Sequence, residues 1–360
     1  MDTVIRKIDT KNINTEYVKE AGEILRNGGL VAFPTETVYG LGGNAFDKNA
    51  SYKIYSAKGR PSDNPLIVHI AKKEALNDIA TNIPGNAKKL MDAFWPGPLT
   101  MVFKKTQKVP YETTGGLDTV AVRMPNHKVA LEIIEAAGVP IAAPSANTSG
   151  RPSPTKAEHV VEDLSGKIDM IVDSGIVGIG IESTIVDMTG DVPMILRPGY
   201  ITKGMLSRVV GEVTEDKVVS AKTIDDIGSK DYKPKAPGMK YKHYAPKADL
   251  TVFEGPILEV IDVINNKAKE EMEKGNKVGI IATDETKDKY NADIVVSIGT
   301  RKDETSIARS LYDILRGFDD KDTDIIFGES FYEDEFGYAI MNRMIKAAGY
   351  KIVEVGKNEI

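Results

Sequence analysis

The sequence predicts an α/β protein in two parts. A twisted mixed α/β sheet with helices occupies residues 1–211, a smaller parallel α/β domain occupies 249–360, and a linker at 212–248 joins them. Three observations predict this. Apolar runs of strand length stand in irregular order over the first 200 residues, strands and helices alternate regularly after residue 249, and the period fades between, where lysines gather with prolines 234, 237 and 246. A chain of 360 residues also exceeds one ordinary core.

In order along the chain, GGLVAFPTE (28–36) reads as a strand entering a polar turn. DKNASYKIYSAKG (47–59) has helical spacing and a glycine stop. PLIVHI (65–70), PLTMVFKK (98–105), TVAVRMP (119–125) and PIAAPSA (140–146) read as strands. HKVALEIIEAAG (127–138) and TKAEHVVEDLSG (155–166) read as amphipathic helices ending at glycine. MIVDSG, STIVDM and PMILRPG add three short strands between 170 and 199. After residue 249, LTVFEG, the helix ILEVIDVINNKAKEEMEKG, KVGIIATD, DIVVSIG, the helix ETSIARSLYDILRGFDD, TDIIFGES and the helix YAIMNRMIKAAG follow in turn. That alternation is βαβ logic and predicts a Rossmann-like parallel sheet.

The composition, 41% apolar and 28% charged, is that of a globular protein. No apolar run approaches the ~20 residues of a membrane span, and MDTVIRKIDTKN has no apolar signal core, so a cytoplasmic location is expected. The absence of cysteine excludes disulfides, thiolate zinc sites and cysteine nucleophiles. Residues 1–210 carry 24 Lys and Arg against 23 Asp and Glu, whereas 249–360 carry 15 against 24. An anionic substrate is therefore better received by the first part, and nothing in this balance calls for strong nucleic-acid binding.

Chemistry concentrates in two stretches, AKGRPSDNPLIVH (57–69) and PSANTSGRPSPT (144–155). Lys58 and Arg60 place two cations beside a strand, an arrangement suited to a polyphosphate. Ser145 and Asn147 follow an apolar strand too far upstream to cap the next helix, and with Ser153 they suit phosphate or ribose recognition. Thr35 stands at a strand end, where ligands dock in open sheets. Arg123 lies inside an apolar strand and needs a partner: an internal carboxylate or a substrate's. Ser183 and Arg197 enter and leave short strands. Arg151 is expected to be exposed. His69 suits a core role and a substrate contact equally; His127, at a helix start, and His159, on a helix face, read as incidental. Tyr232, Tyr241, His243 and Tyr244 make the linker aromatic, consistent with a solvated tether or with a segment packed over a site.

Other motifs are absent or weak. No GxxxxGK[ST] is present, and no histidine pair has metal-ligand spacing. Gly40-Leu41-Gly42-Gly43-Asn44-Ala45 matches GxGxxA, but a polar insert separates it from the preceding strand, so a tight turn needing glycine dihedrals is the stronger reading.

AKGRPSDNPLIVH, WPGPLT (95–100), VAVRMP, APSANTSGRPSPT (143–155), STIVD (183–187) and RPG (197–199) resemble the signature of the YrdC-like superfamily. PGMKYKHYAP (237–246) followed by a small α/β domain resembles its long two-domain form, the threonylcarbamoyl-AMP synthase family. The resemblance implies an N-terminal YrdC-like fold with a concave cavity, crossed by the linker. It implies condensation of L-threonine, bicarbonate or CO₂, and ATP to threonylcarbamoyl-AMP and pyrophosphate. The product would pass to a tRNA threonylcarbamoyl-transfer complex, with a weak tRNA contact.

By the same resemblance Lys58 and Arg60 are catalytic. They bind ATP together with Ser62, Thr119, Ser145, Asn147, Ser153, Arg197 and Tyr232. Thr35, His69, Arg123, Ala143 and Ser183 hold threonine. Mg²⁺ is expected as ATP's partner, bridged by the phosphates, with no metal site of protein side chains. Asn64 stands where relatives commonly have histidine, a change expected to matter little. The alternative is an RNA-binding or ribosome-maturation factor using the same concave face. A hydrogenase-maturation carbamoyltransferase would bring Cys-rich zinc fingers, which a cysteine-free chain lacks.

Overall fold

A computed structural model describes residues 2–219, 243–331 and 335–356. These form two units: 2–149 with 153–219, and 150–152 with 243–331 and 335–356.

The first unit contains strands β1 (Val4–Lys7), β2 (Val31–Phe33), β3 (Gly40–Asn44), β4 (Ile67–His69), β5 (Ala80–Thr81), β6 (Leu99–Lys105), β7 (Thr119–Arg123), β8 (Ile141–Ala142), β9 (Met170–Asp173), β10 (Thr184–Asp187), β11 (Met194–Arg197) and β12 (Thr214–Glu215). Its helices are α1 (Thr15–Arg26), α2 (Lys48–Lys58), α3 (Leu76–Ile79), α4 (Gly85–Phe94), α5 (Lys128–Ala137), α6 (Ala157–Leu164) and α7 (Lys203–Val210). The strands join in the order β1-β9-β2-β3-β8-β4-β7-β6-β10-β11-β12, with β5 on β6. Parallel and antiparallel pairs mix, as the irregular order of runs predicts: β4 runs parallel to β7, and β6 antiparallel to it.

Strand alternation divides the sheet. Val120 and Val122 of β7 join the large core with Leu41, Ile54 and Phe103. Ala121 points the other way, into a smaller cluster with Ile67, Val102, Ile185 and Leu196, on which Val218 packs. That second face carries the site, because His69, Thr100 and Arg123 continue it two residues on and pair in register.

Helix α2 ends as its sequence asks. Asp47 caps its start by accepting the Asn49 N–H at 2.8 Å, and Gly59 closes it with φ 61°. Lys58 is thereby fixed as its last residue.

Three expectations need correction. Gly40–Asn44 is strand β3, antiparallel to β2, and none of its glycines takes a positive φ. Packing requires them instead: a Cβ at Gly42 would lie 2.6 Å from the Phe33 ring and 2.9 Å from Ile141. The strand expected over 140–146 is only β8, because Pro144 has no N–H to continue a ladder. The segment turns instead to β3, where Leu41 N–H donates to Pro144 O and Ala146 N–H to Tyr39 O, both at 2.8 Å. Arg151 is not exposed: its side chain is 24% accessible and its Nη2 lies 3.7 Å from Asp319 inside the second unit.

The second unit holds β13 (Asp249–Glu254), β14 (Val278–Ala282), β15 (Ile294–Ser297), β16 (Ile325–Glu329) and β17 (Ile352–Glu354), in the order β15-β14-β16-β13-β17. Every pair is parallel, with α8 (Ile257–Glu273), α9 (Glu304–Asp319) and α10 (Glu335–Ala347) as crossovers. This is the expected Rossmann-like parallel sheet. Tyr244 stacks on Tyr312 within this unit, ring centroids 5.1 Å apart. No helix among the described residues is long and apolar enough to cross a membrane.

Candidate functional site

Most of the expected residues converge through a continuous run of contacts. Lys58 is 1% exposed, and its Nζ donates to the backbone carbonyls of Ser145 and Asn147. A buried ammonium needs such acceptors, so Lys58 also holds the 145–147 turn against α2. The Ser145 hydroxyl donates to Asn147 Oδ1 at 2.6 Å. Ser145 bridges Gly40, and Tyr39 N–H donates to Pro154 O at 2.9 Å, beside Ser153. Ser153 Oγ donates to Glu182 Oε1 at 2.6 Å, next to Ser183.

Ser183 links the two ends of the site. Its hydroxyl shares a hydrogen bond with Thr100 Oγ1 at 2.8 Å and accepts from Arg197 Nη2 at 3.2 Å, while its carbonyl accepts from Arg197 Nε at 3.0 Å. Thr100 pairs with Arg123 across β6 and β7. Arg123 donates through Nε to Gly97 O at 3.3 Å and through Nη1 to Thr37 Oγ1 at 2.9 Å. Thr37 and Thr35 share a hydrogen bond of 2.9 Å between their hydroxyls, and Thr35 Oγ1 donates to Val38 O. The internal partner that Arg123 needs is Glu36, 2.6 Å from its Nη2.

His69 sits beside Arg123 in the register of β4 and β7. Burial, reinforced by the Arg123 charge, pushes its pKa down from 6.5 to about 3, so the ring is neutral at ordinary pH. Ala143 N–H donates to Ile67 O at 2.8 Å, leaving its carbonyl as the group it can offer.

Other residues stand apart. Arg60 is half-buried and donates to the carbonyls of Asn64 and Pro65 at 3.3 and 3.2 Å. Ser62 is exposed on the same loop. Thr119 shares a face with Arg123 but lies at the opposite end of β7, lining a cavity of about 530 Å³ with Lys104, Lys105 and Tyr111. Tyr232 and Tyr241 lie outside the described residues, as does most of the expected linker. His127 occupies the first position before α5 but makes no capping bond, and His159 Nδ1 accepts the Thr155 N–H at 3.3 Å.

Sequence reasoning missed Glu36, Thr37 and Thr100 as members of the site. Three consecutive polar residues at 35–37 were the available signal for the first two; Thr100 is one threonine in an apolar strand and gave none. Among the described residues no three His, Asp or Glu side chains cluster to hold a metal ion.

Fold and site together define an α/β protein that gathers buried cations, hydroxyls and amides at the strand ends of one sheet face. The chain matches the family described as "Telomere recombination" (the Sua5, YciO and YrdC group) over residues 23–199, and "Threonylcarbamoyl-AMP synthase, C-terminal domain" over residues 201–349. It is 49% identical to threonylcarbamoyl-AMP synthase of Pyrococcus abyssi over 94% of this chain and 96% of that one, and 48% identical to that of Bacillus subtilis over 96% of each. The crystal structure of P. abyssi Sua5 complexed with L-threonine superposes with a TM-score of 0.91 at 47% identity, covering 98% of this chain and 100% of that one. The chain belongs to the two-domain Sua5/YrdC-type threonylcarbamoyl-AMP synthase family.

Proposed function

We propose that the first unit holds ATP against L-threonine and joins them, with bicarbonate or CO₂, into threonylcarbamoyl-AMP with release of pyrophosphate. The observation that carries this reading is the contact run from Lys58 through Ser145, Ser153 and Ser183 to Arg123. Phosphate-type ligands suit one end of that run and a carboxylate suits the other. Threonine's amine captures the carbon as a carbamate, whose oxygen attacks the α-phosphorus of ATP. Such a transfer needs positioning and charge neutralisation, with no covalent enzyme intermediate.

In this reading Lys58 and Arg60 steady the triphosphate, and Ser145, Asn147, Ser153 and Arg197 bind phosphate and ribose, with Ser62, Thr119 and Tyr232 as further nucleotide contacts. Thr35, His69, Ala143 and Ser183 surround threonine, and Arg123 holds its carboxylate. Mg²⁺ bound with ATP would supply charge neutralisation on the phosphates, with no protein side chain as its ligand. The product would go, in the cytoplasm, to proteins that transfer the threonylcarbamoyl group to tRNA, and residues 212–248 would cover the site.

The test is pyrophosphate release by the full chain with ATP, Mg²⁺, threonine and bicarbonate, with the adenylate detected by mass. Release that requires all the substrates is expected, and serine should replace threonine poorly, by about 10- to 100-fold. Turnover independent of threonine, or none, removes the reading.

A further inference from the structure

Glu36 and Glu182 are charged residues of the site to which this function gives no task; Glu182 is bonded to Ser153, whereas Glu36 faces Arg123. It lies between β2 and β3, held by the Ile179 N–H on its own backbone carbonyl at 2.8 Å. Its side chain is 12% exposed, and Oε2 lies 2.6 Å from Arg123 Nη2. The two form a buried ion pair, but its alignment falls short of a hydrogen bond, and both carboxylate oxygens are buried with no hydrogen bond from the described residues. His127 Nδ1 is also buried without a partner among the described residues, and it feels the Glu36 charge.

Buried lone pairs and N–H groups are almost always matched, and an unmatched one is costly, more so when charged. Here a carboxylate and a guanidinium nitrogen paired only by charge, and a ring nitrogen beside them, make no hydrogen bond with the described residues. The ligand that completes such a set carries an anion and several N–H donors close to each other. An α-amino acid zwitterion does so on a single carbon: its carboxylate suits Arg123, and its ammonium, with three N–H donors, suits Glu36.

We infer that Glu36 receives the ammonium of the amino-acid substrate and takes its proton, freeing the nitrogen lone pair for attack on bicarbonate. This rests on the proposed function. The ammonium N–H breaks and its proton goes to the Glu36 carboxylate, leaving a neutral amine. The amine nitrogen forms the N–C bond to bicarbonate as a C–OH bond breaks. The departing hydroxide takes a proton from that nitrogen and leaves as water, so the product is the carbamate anion. No further reactant is needed. Among the described residues the titratable and charged groups facing Glu36 are the Arg123 guanidinium on β7 and His127 before α5, whose pKa burial lowers from 6.5, so that it adds no competing charge at neutral pH.

The experiment compares the full-length wild type with Glu36→Gln. Wild-type pyrophosphate release dependent on threonine and bicarbonate comes first; failure there counts against the proposed function rather than against Glu36. With that activity present, Glu36→Gln should lower kcat at pH 7 by about 100-fold. Its rate should recover at alkaline pH, where the ammonium of a free amino acid loses its proton unaided, while the wild-type rate stays level. Calorimetry with 2,3-dihydroxybutanoate, which carries a hydroxyl in place of threonine's amine, should give the same affinity for both proteins. A Glu36→Gln enzyme with wild-type kcat and pH profile overturns the inference, as does equal loss of threonine and of the hydroxy analogue. If Glu36→Gln does not fold, Glu36→Asp decides: reduced kcat with a level pH profile supports the role, and unchanged kcat overturns it.

Discussion

Each unit places a glutamate–arginine pair at the ends of its strands, and the two pairs are built differently. In the second unit Glu329 is fully buried. Its Oε1 accepts from the Thr283 N–H and hydroxyl, from Thr286 Oγ1 and from Arg301 Nη2 at 2.8–3.1 Å, and its Oε2 accepts from Tyr290 at 2.7 Å. In the first unit the Glu36 oxygens, ion-paired with Arg123 at 2.6 Å, accept no hydrogen bond from the described residues. A buried ion pair therefore says little about function on its own. A pair whose lone pairs are all matched holds a fold together; one left unmatched is prepared for something that arrives.

The comparison can be broken most directly at Glu329. Glu329→Ala removes the carboxylate that Arg301, Thr283, Thr286 and Tyr290 share, so urea unfolding should show the second unit losing about 3–5 kcal/mol. A loss below 1 kcal/mol would mean that its hydrogen bonds do not carry the stability assigned to them. A smaller effect is expected at Lys58, which is both a proposed catalytic group and a tie. Lys58→Ala should abolish turnover and also cost about 1–3 kcal/mol, because the Ser145 and Asn147 carbonyls lose their donor. Arg60→Ala, at a half-buried loop position, should lower turnover with little change in the unfolding midpoint. Equal stability losses in the two variants would erase the distinction between tie and ligand group.

The smallest effect concerns His69. Its folded pKa, about 3, lies below the unfolded value of 6.5, so its contribution to stability is complete above 6.5 and is lost progressively as pH falls toward 3. Between pH 7 and 5 the wild type should lose about 1–2 kcal/mol through this group. His69→Asn should remove that part of the acid dependence in urea melts, and an unchanged acid limb would show that the ring is not buried neutral.

The second unit was almost fully legible in the sequence, because its central parallel strands β14 and β16 are buried on both faces and read as unbroken apolar runs such as KVGIIATD. The first unit was legible in pieces. Helices α2 and α5 announced themselves through spacing and terminal glycines. Strand β3 did not, since GLGGN has neither alternation nor β-branched residues and is a strand only because Phe33 and Ile141 press on its glycines. The motif residues stood out as polar groups at strand ends, and the polar run at 35–37 marked Thr37, but Thr100, alone in an apolar strand, did not stand out.

By itself the sequence determined the two-part α/β architecture, the helix ends and the identity of the cationic and hydroxyl groups available for chemistry. These depend on local period, capping and composition, which the chain carries in order. Only the tertiary structure decided that Lys58 is a buried tie, that Arg123 faces Glu36, and that the Glu36 oxygens accept no hydrogen bond from the described residues while those of Glu329 accept several. Those facts depend on which donors approach across strands far apart in the chain, and no single stretch of residues records that distance.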